Sequence, residues 1–108
     1  MFLLNKSPIK FKDDELNFFA TRYYDGTLAI VCETIQGEPY ATISINLSGY
    51  GCSLTDNQIV LNHDLSEKLR ELVIKLFGES TKPIKYGYAE SLILMLKPEI
   101  IEQVKKIG

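Results

Sequence analysis

Asp25-Gly26 constrains this chain more than any other two residues. The pair separates two stretches rich in β-branched and aromatic residues, 16–24 and 27–34, and supplies the positive φ angles that a two-residue type I′ hairpin turn demands. A two-residue loop fixes the register: Tyr24 then faces Thr27, Tyr23 faces Leu28, and opposed residues share a side down the ladder. One face of the hairpin carries Phe19, Thr21, Tyr23, Leu28, Ile30 and Cys32. A third stretch, 40–47, follows the turn Gln36-Gly37-Glu38-Pro39 and alternates, with Ala41, Ile43, Ile45 and Leu47 on one side. These four join the first face as the expected core. The opposite face collects Phe18, Ala20, Arg22, Tyr24, Thr27, Ala29, Val31 and Glu33, beside Tyr40, Thr42, Ser44 and Asn46. It is neither a dry core nor a plain solvated surface.

The second half reads as a loop at 48–57, a short strand at 58–61 and then a helix. Asp64 is placed to cap that helix, Glu67 completes a D-x-x-E box, and Gly78 stands where a left-handed terminal residue is wanted. Leu65, Leu69, Leu72, Val73, Leu76 and Phe77 form one apolar stripe. Leu72 at its centre is expected to be core, so that Leu72→Ala costs about 2–5 kcal/mol. Residues 79–83 read as a linker, 84–88 as a strand and 91–96 as a buried strand. Lys97-Pro98-Glu99 opens a last helix, with Ile100, Ile101, Val104 and Ile107 at helical spacing. The expectation is one α+β domain over residues 1–108. It comprises an antiparallel sheet beginning with a three-stranded meander, one main helix packed on one face, and a C-terminal strand and short helix.

Composition narrows the function. With 12 basic against 14 acidic side chains and a net charge of −2, the chain has no electrostatic case for gripping a phosphate backbone. Cys32 and Cys52 are too few for a disulfide scaffold and form no C-x-x-C, so free thiols and a cytoplasmic location are expected. The apolar start Met1-Phe2-Leu3-Leu4 is broken by Asn5 and Lys6, and no apolar run approaches a membrane span. Two cysteines, one histidine and scattered carboxylates give no metal-ligand spacing, and no cofactor is expected.

Two sets of residues remain as candidate sites. Cys52 with the lone His63, near Tyr50, is the one thiol–imidazole pair a nucleophilic or small-molecule pocket could use, though no orienting partner is evident. The mixed sheet face offers Phe18, Arg22, Tyr24, Tyr40 and Thr42, and tyrosine and arginine are residues that anchor protein interfaces. Six tyrosines also suit base stacking, but the surrounding cations that hold a single-stranded backbone are missing.

The segment Gly37-Glu38-Pro39-Tyr40-Ala41-Thr42-Ile43-Ser44-Ile45-Asn46-Leu47, preceded by Gly26-Thr27-Leu28-Ala29-Ile30, resembles a pattern in a family of small uncharacterised proteins. That family belongs to Gram-positive bacteria and their mobile elements. The resemblance covers about residues 16–78 and implies a compact α+β domain of unknown function, with no catalytic residues to carry over. Ser48-Gly49 stands where relatives often have a proline-glycine turn. The leading functional expectation is therefore a non-enzymatic module that binds a protein partner, an accessory factor of a mobile element. The alternatives are a small-molecule or nucleotide binder or enzyme at Tyr50, Cys52 and His63, and a single-stranded nucleic-acid binder. The oligomeric state stays open.

Overall fold

A computed structural model of the chain describes residues 2–46, 57–86 and 89–105. Among them the strands are β1 (Phe2–Leu3), β2 (Ile9–Phe11), β3 (Asp14–Arg22), β4 (Leu28–Thr34), β5 (Pro39–Thr42), β6 (Ser44–Ile45), β7 (Gln58–Leu61), β8 (Gly78–Tyr86) and β9 (Ala89–Leu96). The helices are α1 (Glu67–Phe77) and α2 (Pro98–Val104). The strands pair antiparallel throughout, in two sheets: β1-β3-β4-β5, with β2 also on β3, and β6-β7-β9-β8. The chain is thus α+β with antiparallel sheet.

The first correction concerns the hairpin. Arg22 faces Leu28 and Thr21 faces Ala29, one residue away from the expected register. The Tyr23 N–H donates to the Thr27 carbonyl at 2.7 Å and the Gly26 N–H to the Tyr23 carbonyl at 2.8 Å, so the loop is Tyr24-Asp25-Gly26. Gly26 alone of these takes a positive φ, 88°, which is the three-residue loop closing on a left-handed glycine; a type I′ turn needs positive φ at Asp25 as well. Asp25 instead turns its carboxylate onto the Thr27 N–H at 3.0 Å, a local bond favoured by aspartate in turns.

A one-residue slip exchanges the faces of a strand. Leu16, Phe18 and Ala20 therefore point inward with Leu28, Ile30 and Cys32, all of them buried. Phe19 and Thr21, expected in the core, lie on the outer side. The inward set wins because Leu16-Phe18-Ala20 is wholly apolar, whereas the alternative would have buried the Thr21 hydroxyl.

The second correction is that the third strand does not stay in one sheet. Cys32 faces Ala41 and a bulge follows between Cys32 and Glu33; at Ile43 the chain then leaves, and Ser44 and Ile45 pair with Leu61 and Val60. Departure strands the Ile30 N–H, and the Ser44 hydroxyl accepts it at 2.9 Å. The Tyr23 hydroxyl donates to the Ser44 carbonyl at 2.8 Å. Ser44, expected on the mixed outer face from its alternation, is 1% exposed because it replaces a missing rung between sheets.

β1 and β2 have no counterpart in the sequence reading. They line up along β3 with a gap between them, and Asn5 fills it: its carboxamide oxygen accepts the Phe18 N–H at 2.7 Å and its amide donates to the Leu16 carbonyl at 3.3 Å.

α1 starts two residues later than an Asp64 cap would set it. The cap is Ser66, whose hydroxyl accepts the Leu69 N–H at 3.2 Å. Gly78 is extended rather than left-handed, with φ of 176°. It is needed because a Cβ there would collide with the Met95 carbonyl of β9. β8 therefore begins directly at the helix end, and residues 79–83 are strand rather than linker. Leu69, Val73 and Phe77 are the buried helix positions, while Leu72 is only half-buried, so the cost expected of Leu72→Ala belongs to its neighbours. The Phe77 ring meets Phe18 edge-on at 5.1 Å. Ile100 and Val104 of α2 complete one apolar cluster that draws on both sheets and both helices. Among the described residues no helix is long and apolar enough to cross a membrane.

Candidate functional site

The register change redistributes the expected interaction residues. Phe18 is fully buried and belongs to the core, not to any surface. Arg22 sits at the strand end, where its guanidinium donates to the Gly26 carbonyl at 3.1 Å and braces the hairpin. Tyr24 is the exposed first residue of the loop. Tyr40 lies at the β4–β5 bulge, half-buried, with its ring edge-on to Phe11 at 6.3 Å. Thr42 is exposed, and its carbonyl accepts the Asn62 amide at 2.9 Å. These five do not form one patch.

A different row does. Leu3 faces Phe19, Phe19 faces Val31, and Val31 faces Thr42, so one line of side chains crosses four strands on the outer side of the first sheet. Leu3 is 44% exposed, and Phe19 and Val31 are half-buried. Flanking it on the same side are Glu33, opposite Asn17 and Pro39, and Ile35, which is also 44% exposed. Toward the hairpin end the face closes, because Ala29 is buried and Tyr23 turns its hydroxyl to Ser44. The result is an apolar stripe with the Glu33 carboxylate beside its centre.

Burial also sets the chemistry of the groups beneath. The Cys32 thiol is pushed up from 9.0 to about 12, by burial first and the Glu33 charge second. It is a protonated packing group at neutral pH and no nucleophile. The Tyr23 phenol is raised by burial, against the Ser44 hydrogen bond, with Asp25 adding to the rise. Tyr40 is raised as well, by burial and then by Asp14 and Cys32.

Of the alternative pocket, Tyr50 and Cys52 lie outside the described residues. His63 is at the surface with its Nε2 3.4 Å from Asp64. It lines a cleft of about 270 Å³ with Asn62, Arg70, Glu90 and Ser91, walled by Leu61, Pro83 and Leu92. Among the described residues no group of three histidine, cysteine, aspartate or glutamate side chains is placed to hold a metal ion.

Sequence reasoning missed Phe19, Leu3 and Val31 as a row because the loop was taken one residue short. The signal that would have found them is the apolar alternation Leu16-Phe18-Ala20, which competes with the turn and prevails. Arg70 is not singled out by the sequence, because the cleft it lines is also built from β7, β8 and β9. Compared with family models, curated proteins and solved structures, the chain matches none.

Proposed function

We propose that this protein is a non-enzymatic interaction module that docks a folded protein partner on the outer side of its first sheet. The observation that carries this reading is the cross-strand row Leu3–Phe19–Val31–Thr42, apolar at its centre and partly open. A large aromatic in the middle of a sheet face, bordered by polar residues, has the make-up of an interface anchor. Glu33 beside the row favours a partner that presents an apolar side chain next to a basic one. The family that the Gly37–Leu47 segment resembles adds a setting, accessory proteins of mobile elements, and no mechanism.

The test is capture of a partner from extract by the tagged chain, compared across variants of matched stability. Thr42→Arg alters the exposed end of the row and Phe19→Ser its centre, and both are expected to abolish capture. Tyr24→Ala lies off the row and is expected to leave it intact. Capture that survives both row variants, with their melting temperatures near that of the parent, would contradict the proposal.

A further inference from the structure

The cleft between α1 and β9 lies apart from the Phe19 row and holds an arrangement that packing alone does not explain. Arg70 and Glu90 line the same small cavity, yet they do not pair, and no carboxylate among the described residues stands at ion-pair distance from the half-buried Arg70 guanidinium. Glu90 has only Lys85, 4.0 Å away on the exposed edge strand β8, a contact of little strength in water. Two opposite charges are thus held in one cleft with space between them. Leu61, Leu92 and Pro83 form its apolar wall.

We propose that this cleft binds a small zwitterion of the α-amino acid class, with its carboxylate on Arg70, its ammonium on Glu90 and an apolar side chain against Leu61, Leu92 and Pro83. A guanidinium fork matches a carboxylate with two parallel hydrogen bonds. Glu90 repels a simple anion, which sets a zwitterion apart from inorganic phosphate or a dicarboxylate. Size agrees: about 270 Å³ leaves room for an amino acid such as valine or leucine. The proposal is of binding alone.

The experiment is thermal shift and calorimetry on the full chain, with a panel of L-amino acids led by L-valine. Valinamide, which lacks the carboxylate, isobutyrate, which lacks the ammonium, and inorganic phosphate are the comparison probes. The proposal expects a concentration-dependent rise in melting temperature with an apolar L-amino acid, and little or none with the three comparison probes. Arg70→Gln and Glu90→Gln should each weaken binding about tenfold or more. Glu90 is exposed enough that its variant folds, so the test does not depend on Arg70→Gln alone. No response to any amino acid overturns the proposal. So does equal binding of isobutyrate or phosphate that Glu90→Gln leaves unchanged, since that describes a plain anion site.

Discussion

The two faces of the first sheet are built from alternate residues of the same strands, and they meet opposite fates. Inward, Leu16, Phe18, Ala20, Leu28, Ile30 and Cys32 are buried in one apolar cluster with residues of the second sheet and both helices, and Phe77 of α1 meets Phe18 edge-on. Outward, Phe19 and Val31 are nearly as apolar yet only half-buried. Hydrophobicity does not distinguish Phe18 from Phe19. What distinguishes them is the length of one loop, since a single added residue between β3 and β4 decides which phenylalanine is core. An apolar residue left outside when its neighbour fills the core is available for another purpose, and the Phe19 row is where the functional reading rests.

The comparison breaks most readily at the two phenylalanines. Phe18→Ala empties a fully buried ring site and is expected to cost about 3–5 kcal/mol in denaturant melts. Phe19→Ala on the same strand should cost clearly less, because Phe19 is only partly buried. Equal losses would mean that both faces are core and that no open row exists.

A smaller effect is expected where the sheets part. Ser44→Ala removes the acceptor of the Ile30 N–H and a partner of Tyr23, leaving a buried donor unpaired at about 1–3 kcal/mol. Thr42→Ala, one rung earlier and exposed, should be near neutral. If the two are alike, the Ser44 hydroxyl is not the bridge between the sheets.

Smaller again is the alkaline behaviour of the inner face. The folded state holds the Cys32 proton up to about pH 12, against an ordinary value of 9.0. The unfolded chain therefore binds fewer protons as pH rises, and stability falls. The Cys32 contribution should be fully present below about pH 9 and lost progressively toward about pH 12. Cys32→Ala should flatten part of that slope in melts taken across the range. The raised Tyr23 phenol keeps its own share, so the slope should not vanish. An unchanged slope would place the thiol in contact with water.

How much of this was legible in sequence follows from how local each determinant is. β7 coincides with the segment read at 58–61, and α2 opens at the Pro98 that marks it, because short-range pattern and proline chemistry decide both. β1 and β2 span two and three residues, too few to show a period, and their continuity depends on an Asn5 side chain that no pattern announces. Gly78 stands where a helix stop was read, but the cause is the approach of the β9 backbone, a long-range fact. Asp25-Gly26 marked the hairpin correctly and its loop length wrongly, because the turn and the core compete and only the core knows that Thr21 would be buried. Of the candidate site residues, Thr42 stayed on the outer face. Phe18 did not, and Arg70 belongs to a cleft that forms only when α1 meets β9.

The register of β3 on β4 carries the account, and cross-strand Hα–Hα nuclear Overhauser effects read it directly. Because Tyr23 and Thr27 form a hydrogen-bonded pair, alternate pairs along the ladder bring their Hα atoms together. Strong effects are expected between Ala20 and Ile30 and between Phe18 and Cys32. Effects that instead join Thr21 to Ile30 and Phe19 to Cys32 would set a two-residue turn at Asp25-Gly26, return Phe18 to the outer face and contradict the account.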